Sequence, residues 1–284
     1  MRRFPRLALV SLAACAPVVG LMMAAGPAGA STHPAPSQSA RALAIARNAI
    51  EHLSIGQHPT DHRVAEHATG IKGLTDVSST NWSGYADTGS GFTTVTGTWK
   101  EPTVTCTSTE SLAAFWVGID GFSSSSVEQD GTLAECYGGA LYSYSWWEMY
   151  PTNSIQVVGS SVAAGDSISA SVVRSGSSYA LKVTDSTHTA NSFSKTESCS
   201  GCANSSAEWI AEAPSGSSGV YPLPDFHSWT ESGATVKTSS TSGVISTFAD
   251  DNITMIDGSG NTEASTGALT SGGNGFTVTW VRSN

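Results

Sequence analysis

Apolar and polar residues alternate in short runs along most of the chain. Thr93–Trp99, Leu112–Ile119, Ser154–Val162, Ser167–Arg174, Tyr179–Thr184, Gly243–Phe248 and Phe276–Val281 each read as a strand. Turn residues separate them, as in Ala164-Gly165-Asp166, Ser175-Gly176-Ser177 and the glycine-rich stretch from Ser271 to Gly275. No run of 12 or more residues beyond position 76 has clear helical periodicity. Many short strands at close spacing predict an all-β sandwich or barrel, in one domain. Three runs also carry polar groups in unusual company. In Tyr144–Pro151 the alternation puts Tyr144, Trp146, Glu148 and Tyr150 on one strand face, a carboxylate among aromatics. That pattern suits a ligand groove as well as it suits an aromatic ladder or a core face with a satisfied Glu. In Ala207–Glu212 the residues Glu208, Ile210 and Glu212 share a face, for which a solvated face is the usual explanation. Finally, Phe115–Ile119 runs as a buried strand into a turn at Asp120-Gly121 and returns through Val127–Gly131. Gln129 lies on the return, where an amide is ordinarily a structural hydrogen-bonder.

Composition narrows the class. Of 284 residues 39% are apolar and 13% charged, too few charges for a coiled coil or helical bundle. Recurring aromatic and β-branched residues argue against disorder. A net charge of −10 lacks the basic footprint of a nucleic-acid binder. The amino terminus carries Arg2, Arg3 and Arg6, an apolar stretch from Leu7 to Ala25, and Ala28-Gly29-Ala30, the pattern of an export signal cleaved after residue 30. Pro17 and Gly20 interrupt the stretch, which disfavours a membrane anchor. Leu12–Cys15 resembles a lipidation site, but the apolar run continues past it. Nothing later is long and apolar enough to span a bilayer, so the expectation is a secreted protein with no membrane partner.

Beyond the signal, Cys106, Cys136, Cys199 and Cys202 remain, an even number that predicts two disulfides. Cys199 with Cys202 would close a tight loop and leave Cys106 with Cys136. Three connectivities are possible, and a zinc or redox role is the rival reading of the C-x-x-C. Residues 31–76 differ from the rest. They hold five of the seven His and equal numbers of acids and bases, whereas 77–284 has six bases against 19 acids. Ser39–Leu53 has helical spacing. This segment reads as a disordered spacer or, more sharply, as an inhibitory pro-segment ahead of a catalytic body at 77–284. No phosphate-binding glycine loop, H-E-x-x-H or G-x-S-x-G is present, and the body has only His188 and His227, so no metal or cofactor is expected. Asn81-Trp82-Ser83, Asn204-Ser205-Ser206 and Asn252-Ile253-Thr254 fit the glycosylation pattern.

Asn81-Trp82-Ser83-Gly84, Trp116–Gly121, Gln129, Trp147–Pro151, Gly165-Asp166-Ser167-Ile168 and Ala207–Glu212, in this order and spacing, resemble the glutamic peptidases (eqolisins), secreted acid-acting endopeptidases. The resemblance implies a sandwich of two antiparallel sheets of concanavalin A-like type. It also implies a catalytic pair at Gln129 and Glu212, with Asn81, Trp82, Trp116, Asp120, Glu148 and Tyr150 lining or supporting the groove and Glu208 in support. The implied partners are polypeptide substrates and the chain's own pro-segment as inhibitor, with a monomer expected. This chain departs from the pattern in two places: Glu128 and Asp130 flank Gln129, and Ala213-Pro214 follows Glu212 where another acid is expected. An ionised Glu can take a proton from water and pass it to the leaving nitrogen, and the Gln N–H can donate to the oxyanion. Such chemistry requires no metal and no covalent intermediate. A lectin-like sandwich that binds or cleaves glycans, using Glu148 and Glu212 as a carboxylate pair, is the other reading, and an inactive adhesive relative is a third.

Overall fold

The computed structural model describes residues 75–284. The signal peptide, the Ser39–Leu53 helix and all but the last two residues of the pro-segment therefore lie outside the described residues. Strand β1 (Thr75–Ser79) begins at those two residues.

The strand reading holds over nearly the whole body. After β1 come β2 (Trp82–Thr88), β3 (Phe92–Lys100), β4 (Ser111–Ile119), β5 (Val127–Tyr137), β6 (Ala140–Tyr150) and β7 (Asn153–Gly159). They are followed by β8 (Ser167–Ser175), β9 (Ser178–Asp185), β10 (Phe193–Ser198), β11 (Ser206–Glu212), and a short hairpin of β12 (Ser215–Gly216) and β13 (Gly219–Val220). The chain closes with β14 (Ser228–Thr238), β15 (Ser242–Gly243), β16 (Ala249–Ile256), β17 (Thr262–Thr266) and β18 (Phe276–Trp280). Glycines with positive φ make the predicted turns: Gly165 at 87°, Gly176 at 64° and Gly273 at 66°.

Two of the expected runs end early. Gly243–Phe248 is not a strand: after Gly243 the chain turns through a short 3₁₀ segment, Ile245–Thr247. The Thr247 hydroxyl accepts the Val244 N–H at 3.0 Å, and the turn drives Ile245 fully into the core. Strand β7 stops at Gly159 rather than Val162, because Gly159 backs onto Asn191; a Cβ there would lie 2.5 Å from the Asn191 Cα.

The strands form one long ribbon folded over on itself. Its order is β10-β9-β8-β3-β14-β18-β17-β16-β2-β11-β4-β5-β6-β7, antiparallel throughout, with β1 added parallel to β16. The fold-over happens in β14. Its first residues, Ser228–Glu231, pair with β18, and after an irregularity at Ser232–Thr235 it pairs with β3. One layer thus contains β3, β8, β9 and β10, and the other runs from β18 to β7. Between them lies the main core, built from alternate residues of both layers: Val95, Val172, Leu181 and Val183 meet Phe115, Val117, Trp209 and Trp229. Trp209 also donates its indole N–H to the Thr96 carbonyl across the layers at 2.8 Å. The opposite face of the larger layer carries a second apolar cluster that includes Trp82, Trp116, Tyr144, Trp146 and Ile210.

Both expected disulfides are present, Cys106–Cys136 and Cys199–Cys202. Among the described residues no helix is long and apolar enough to cross a membrane.

Candidate active site

Cross-strand register places the sequence motifs on one surface. On the face away from the main core, Glu208, Gly118, Gln129 and Glu148 form a row across β11, β4, β5 and β6. The next row is Ile210, Trp116, Gly131 and Trp146, and the third is Glu212, Ala114, Leu133 and Tyr144. Alternate residues of one strand share a face, so Gln129 and Glu212 project from the same surface, two strands and two rows apart. The middle row fixes its shape. Gly131 gives Trp116 room to cross the sheet: a Cβ there would lie 2.1 Å from the Phe115 carbonyl oxygen and 2.7 Å from the Trp116 Cβ. A Cβ on Gly118 would meet the Trp116 ring at 2.8 Å and the Gln129 Cβ at 3.3 Å. The Trp116 ring meets Trp82 edge-on, with centroids 5.0 Å apart.

Glu212 is fully buried and held from two sides. The Trp116 indole N–H donates to its Oε2 at 2.9 Å, and the Asn81 amide donates to its Oε1 at 3.2 Å. Asn81 is itself fixed. The Ser79 hydroxyl donates to Asn81 Oδ1 at 3.1 Å and accepts the backbone N–H of Asn81 and of Trp82. Ser79 did not figure among the candidates from sequence. The signal available for it was its place two residues before Asn81, the spacing at which a serine hydroxyl caps a local turn.

Gln129 is also fully buried, and its amide donates to Glu148 Oε2 at 2.8 Å. Burial pushes the Glu148 carboxyl well above the usual range; the Gln129 hydrogen bond pulls the other way, and the charge on Glu212 raises it further. Glu148 is therefore the electrostatic link between the Gln129 end of the surface and Glu212. Tyr150 packs, partly buried, at the edge of the same aromatic cluster.

Of the remaining two predicted residues, Glu208 belongs to the first row of this surface and Asp120 follows the end of β4. Glu208 is fully buried, which overturns the solvated-face reading of Glu208 and Glu212. β11 is an interior strand, flanked by β2 and β4, all of whose residues are buried, and the face that bears Glu208 also carries the cluster with Trp82, Trp116 and Ile210. Burial raises the Glu208 carboxyl well above its usual range, and the Asp120 and Glu128 charges raise it further. Asp120, at φ 68°, turns its carboxylate onto the loop that leads into β11. It accepts the Asn204 N–H at 2.7 Å, the Ser205 N–H at 2.8 Å and the Ser205 hydroxyl at 3.1 Å. Asp120 thereby ties the start of β11 to the end of β4.

The asparagines of the three glycosylation patterns are committed elsewhere. Asn81 bonds Glu212, Asn204 donates to the Cys202 carbonyl, and Asn252 donates to the Tyr85 hydroxyl. Among the described residues two groups bring three metal-ligating side chains within 4.8 Å of one another: Glu128 with Cys199 and Cys202, and Asp166 with Asp185 and His188. The two cysteines are joined to each other, and His188 Nδ1 contacts Asp166 at 2.9 Å. Neither group includes a residue of the three rows.

Comparison with known proteins gives this surface a context. Residues 80–280 match the peptidase A4 family. Aspergillopepsin-2 of Aspergillus niger is 29% identical over 231 residues, covering 72% of this chain and 78% of that protein. Scytalidopepsin B of Scytalidium lignicola is 36% identical over 137 residues, 46% of this chain and about half (51%) of its own. In fold, the chain is similar to scytalido-glutamic peptidase bound to a transition-state analogue inhibitor, with a TM-score of 0.61 at 23% identity over 71% of this chain and 98% of that one. It is also similar to aspergilloglutamic peptidase from A. niger, with a TM-score of 0.50 at 26% identity over 60% and 99%. The family match spans most of the chain and takes in every motif of the surface described above, and the chain accordingly belongs to the peptidase A4 family, the eqolisins, and is a glutamic endopeptidase.

Proposed function

We propose that the protein cleaves peptide bonds in acid with Glu212 as general base and Gln129 as oxyanion donor. The observation that carries this reading is the pair of N–H donors on Glu212. Asn81 and Trp116 each address one oxygen, an arrangement that suits an ionised carboxylate and aims it at a water. Glu212 takes the proton of that water as it attacks the scissile carbonyl, then returns it to the departing amine nitrogen. An amide nitrogen has two hydrogens. Gln129 donates to Glu148, which fixes the amide plane, and we assign the Gln129 amide as the donor to the developing oxyanion. Gln129 does not titrate, so its role persists in acid. Tyr150, partly buried against the aromatic cluster that holds Trp82 and Trp116, offers an apolar wall to a polypeptide. Export by residues 1–30, a monomeric state, and inhibition by residues 31–76 complete the reading. In the last, the bases of the pro-segment would pair with body carboxylates at neutral pH and let go as these are protonated. Equal affinity of the pro-segment peptide for the body at pH 4 and pH 7 would refute that part.

The test is casein hydrolysis by the matured chain from pH 2 to 8, beside Glu212→Gln and Gln129→Ala. Activity confined to acid, with kcat lower by about a thousandfold in each folded variant, is expected. Near-wild-type turnover by either folded variant would sink the assignment.

A further inference from the structure

Cys199 and Cys202 close a ring across a sequence separation of 3, against 30 for Cys106 and Cys136. So small a ring restrains the unfolded chain far less than the large one, and cross-linking alone is a weak reason for it. Its setting is different too. Cys136 is fully buried, whereas Cys199 and Cys202 are only partly buried and flank the exposed Ser200 and Gly201, so a dissolved thiol can reach them. Beneath them lies Glu128 on β5. It is fully buried, one of its carboxylate oxygens lies within 4.8 Å of both sulfurs, and neither oxygen has a hydrogen-bond partner. A buried carboxyl group with no hydrogen-bond partner has lost its hydration without compensation, and the two sulfurs lie close enough to exchange protons with it.

We propose that Cys199 and Cys202 form a redox-active dithiol–disulfide couple, reduced by low-molecular-weight thiols, with Glu128 as its buried proton donor and acceptor. In the reducing direction the thiolate of the small thiol attacks one sulfur. The S–S bond breaks, and the other sulfur leaves as a thiolate and takes the proton of the Glu128 carboxyl. A second thiol molecule attacks the mixed disulfide and releases the remaining cysteine, which takes a proton from water. Two small thiols are oxidised to one disulfide; the two cysteines gain two electrons and two protons, one proton from Glu128, which is left as carboxylate, and one from water. Oxidation reverses these steps, with the Glu128 carboxylate accepting a thiol proton. The groups that face Glu128 suit it for this: burial and the Asp120 charge push its carboxyl up to about 9, Arg174 pulls the other way only in part, and the Tyr179 phenol beside it stays protonated. The couple sits on the loop that Asp120 ties down, and Glu128 adjoins Gln129, so its redox state acts next to the peptidase site without being part of it.

The experiment uses the folded full-length body and glutathione at pH 6.5, with thiol trapping and peptide mapping by mass spectrometry. Cys199–Cys202 is expected to open at least a hundredfold faster than Cys106–Cys136 while near-UV circular dichroism stays native. Glu128→Gln, which cannot give up a proton, is expected to slow that opening about tenfold or more and leave Cys106–Cys136 unchanged. A Cys199–Cys202 bond that resists glutathione while the fold persists overturns the proposal, and this reading needs only the unaltered chain. Equal opening rates in Glu128→Gln and the unaltered chain would overturn the role of Glu128.

Discussion

Glu101 lies between the two layers, 4% exposed, with the Trp99 indole N–H at 3.1 Å and the Thr132 hydroxyl at 2.7 Å, both on Oε2. Burial raises its carboxyl from 4.5 to about 7; the two hydrogen bonds resist this, and the charges of Asp166 and Asp185 add to it. The sign of the effect on stability follows. Below pH 4.5 the group is protonated in both folded and unfolded chains and costs nothing. As pH rises from 4.5 to about 7 the unfolded chain ionises and the folded one does not, so stability is lost, and above that the loss stays constant. At ~1.36 kcal/mol per unit the loss comes to about 3 kcal/mol. Glu101→Gln removes the titration and keeps the contacts: the amide oxygen replaces Oε2 as acceptor, and the NH₂ takes the place of the carboxylic O–H. The variant should match the unaltered chain within about 1 kcal/mol at pH 4 and exceed it by about 2–3 kcal/mol at pH 7. In Tm the gain at pH 7 is roughly 5–10 °C. Urea unfolding at both pH values, or calorimetry, measures it. A variant whose advantage is the same at pH 4 and pH 7 refutes the reasoning, because then burial has not shifted Glu101.

Three further outcomes follow from particular contacts. Gly131→Ala drives a methyl to within 2.1 Å of the Phe115 carbonyl and should cost about 3 kcal/mol or more, read as a lower urea midpoint with unchanged slope. Asp120→Asn leaves one oxygen where two served the Asn204 and Ser205 N–H groups, so about 2 kcal/mol of stability should go and the loop before β11 should exchange its amide hydrogens faster. Ser79→Ala frees the Asn81 amide to turn away from Glu212. It should lower kcat about tenfold with KM unchanged, since Ser79 acts through Asn81; an unchanged kcat would mean that Asn81 is held well enough by its own backbone.

How much of this was legible in the sequence differs between fold and site. Strands β3, β8, β9 and β18 announce themselves because one face of each meets the core and the other is more exposed, so their alternation is plain; β4, buried on both faces, reads instead as a continuous apolar run. Period-2 alternation of Val244, Ser246 and Phe248 carried the same signal for the wrong reason: the Thr247 hydroxyl bonds back to the Val244 N–H, and such a side-chain contact leaves no trace in hydrophobic spacing. The faces of β6 and β11 were sorted correctly by alternation, but not their solvation. Glu208 on an alternating strand looks like a surface residue, yet β11 is an interior strand buried on both faces. The pairing of Gln129 with Glu148 and of Glu212 with Asn81, over 19 and 131 residues of sequence, is likewise a product of register. The family resemblance pointed to those residues. It did not say which donor meets which oxygen, and Ser79, one residue before the matched span of 80–280, was beyond its reach.

The buried carboxylates connect the site to the rest of the molecule. Among the described residues the ion pairs fall on Asp166, Glu197, Asp225 and Asp257, and none involves Glu101, Glu128, Glu148 or Glu208. Without a cation, burial favours the protonated form of a carboxyl. All four are pushed upward by burial, so acid supplies the neutralising charge that six basic residues in the body cannot. The same protonation that steadies Glu101 between the layers leaves Glu148 neutral beside Glu212, which removes a like charge from next to the carboxylate assigned as the base. Low pH is therefore expected both to stabilise the sandwich and to ready the proposed site. Substituting the core acids alone should separate the two effects, extending stability toward neutral pH while the activity profile stays where Glu148 and Glu212 set it.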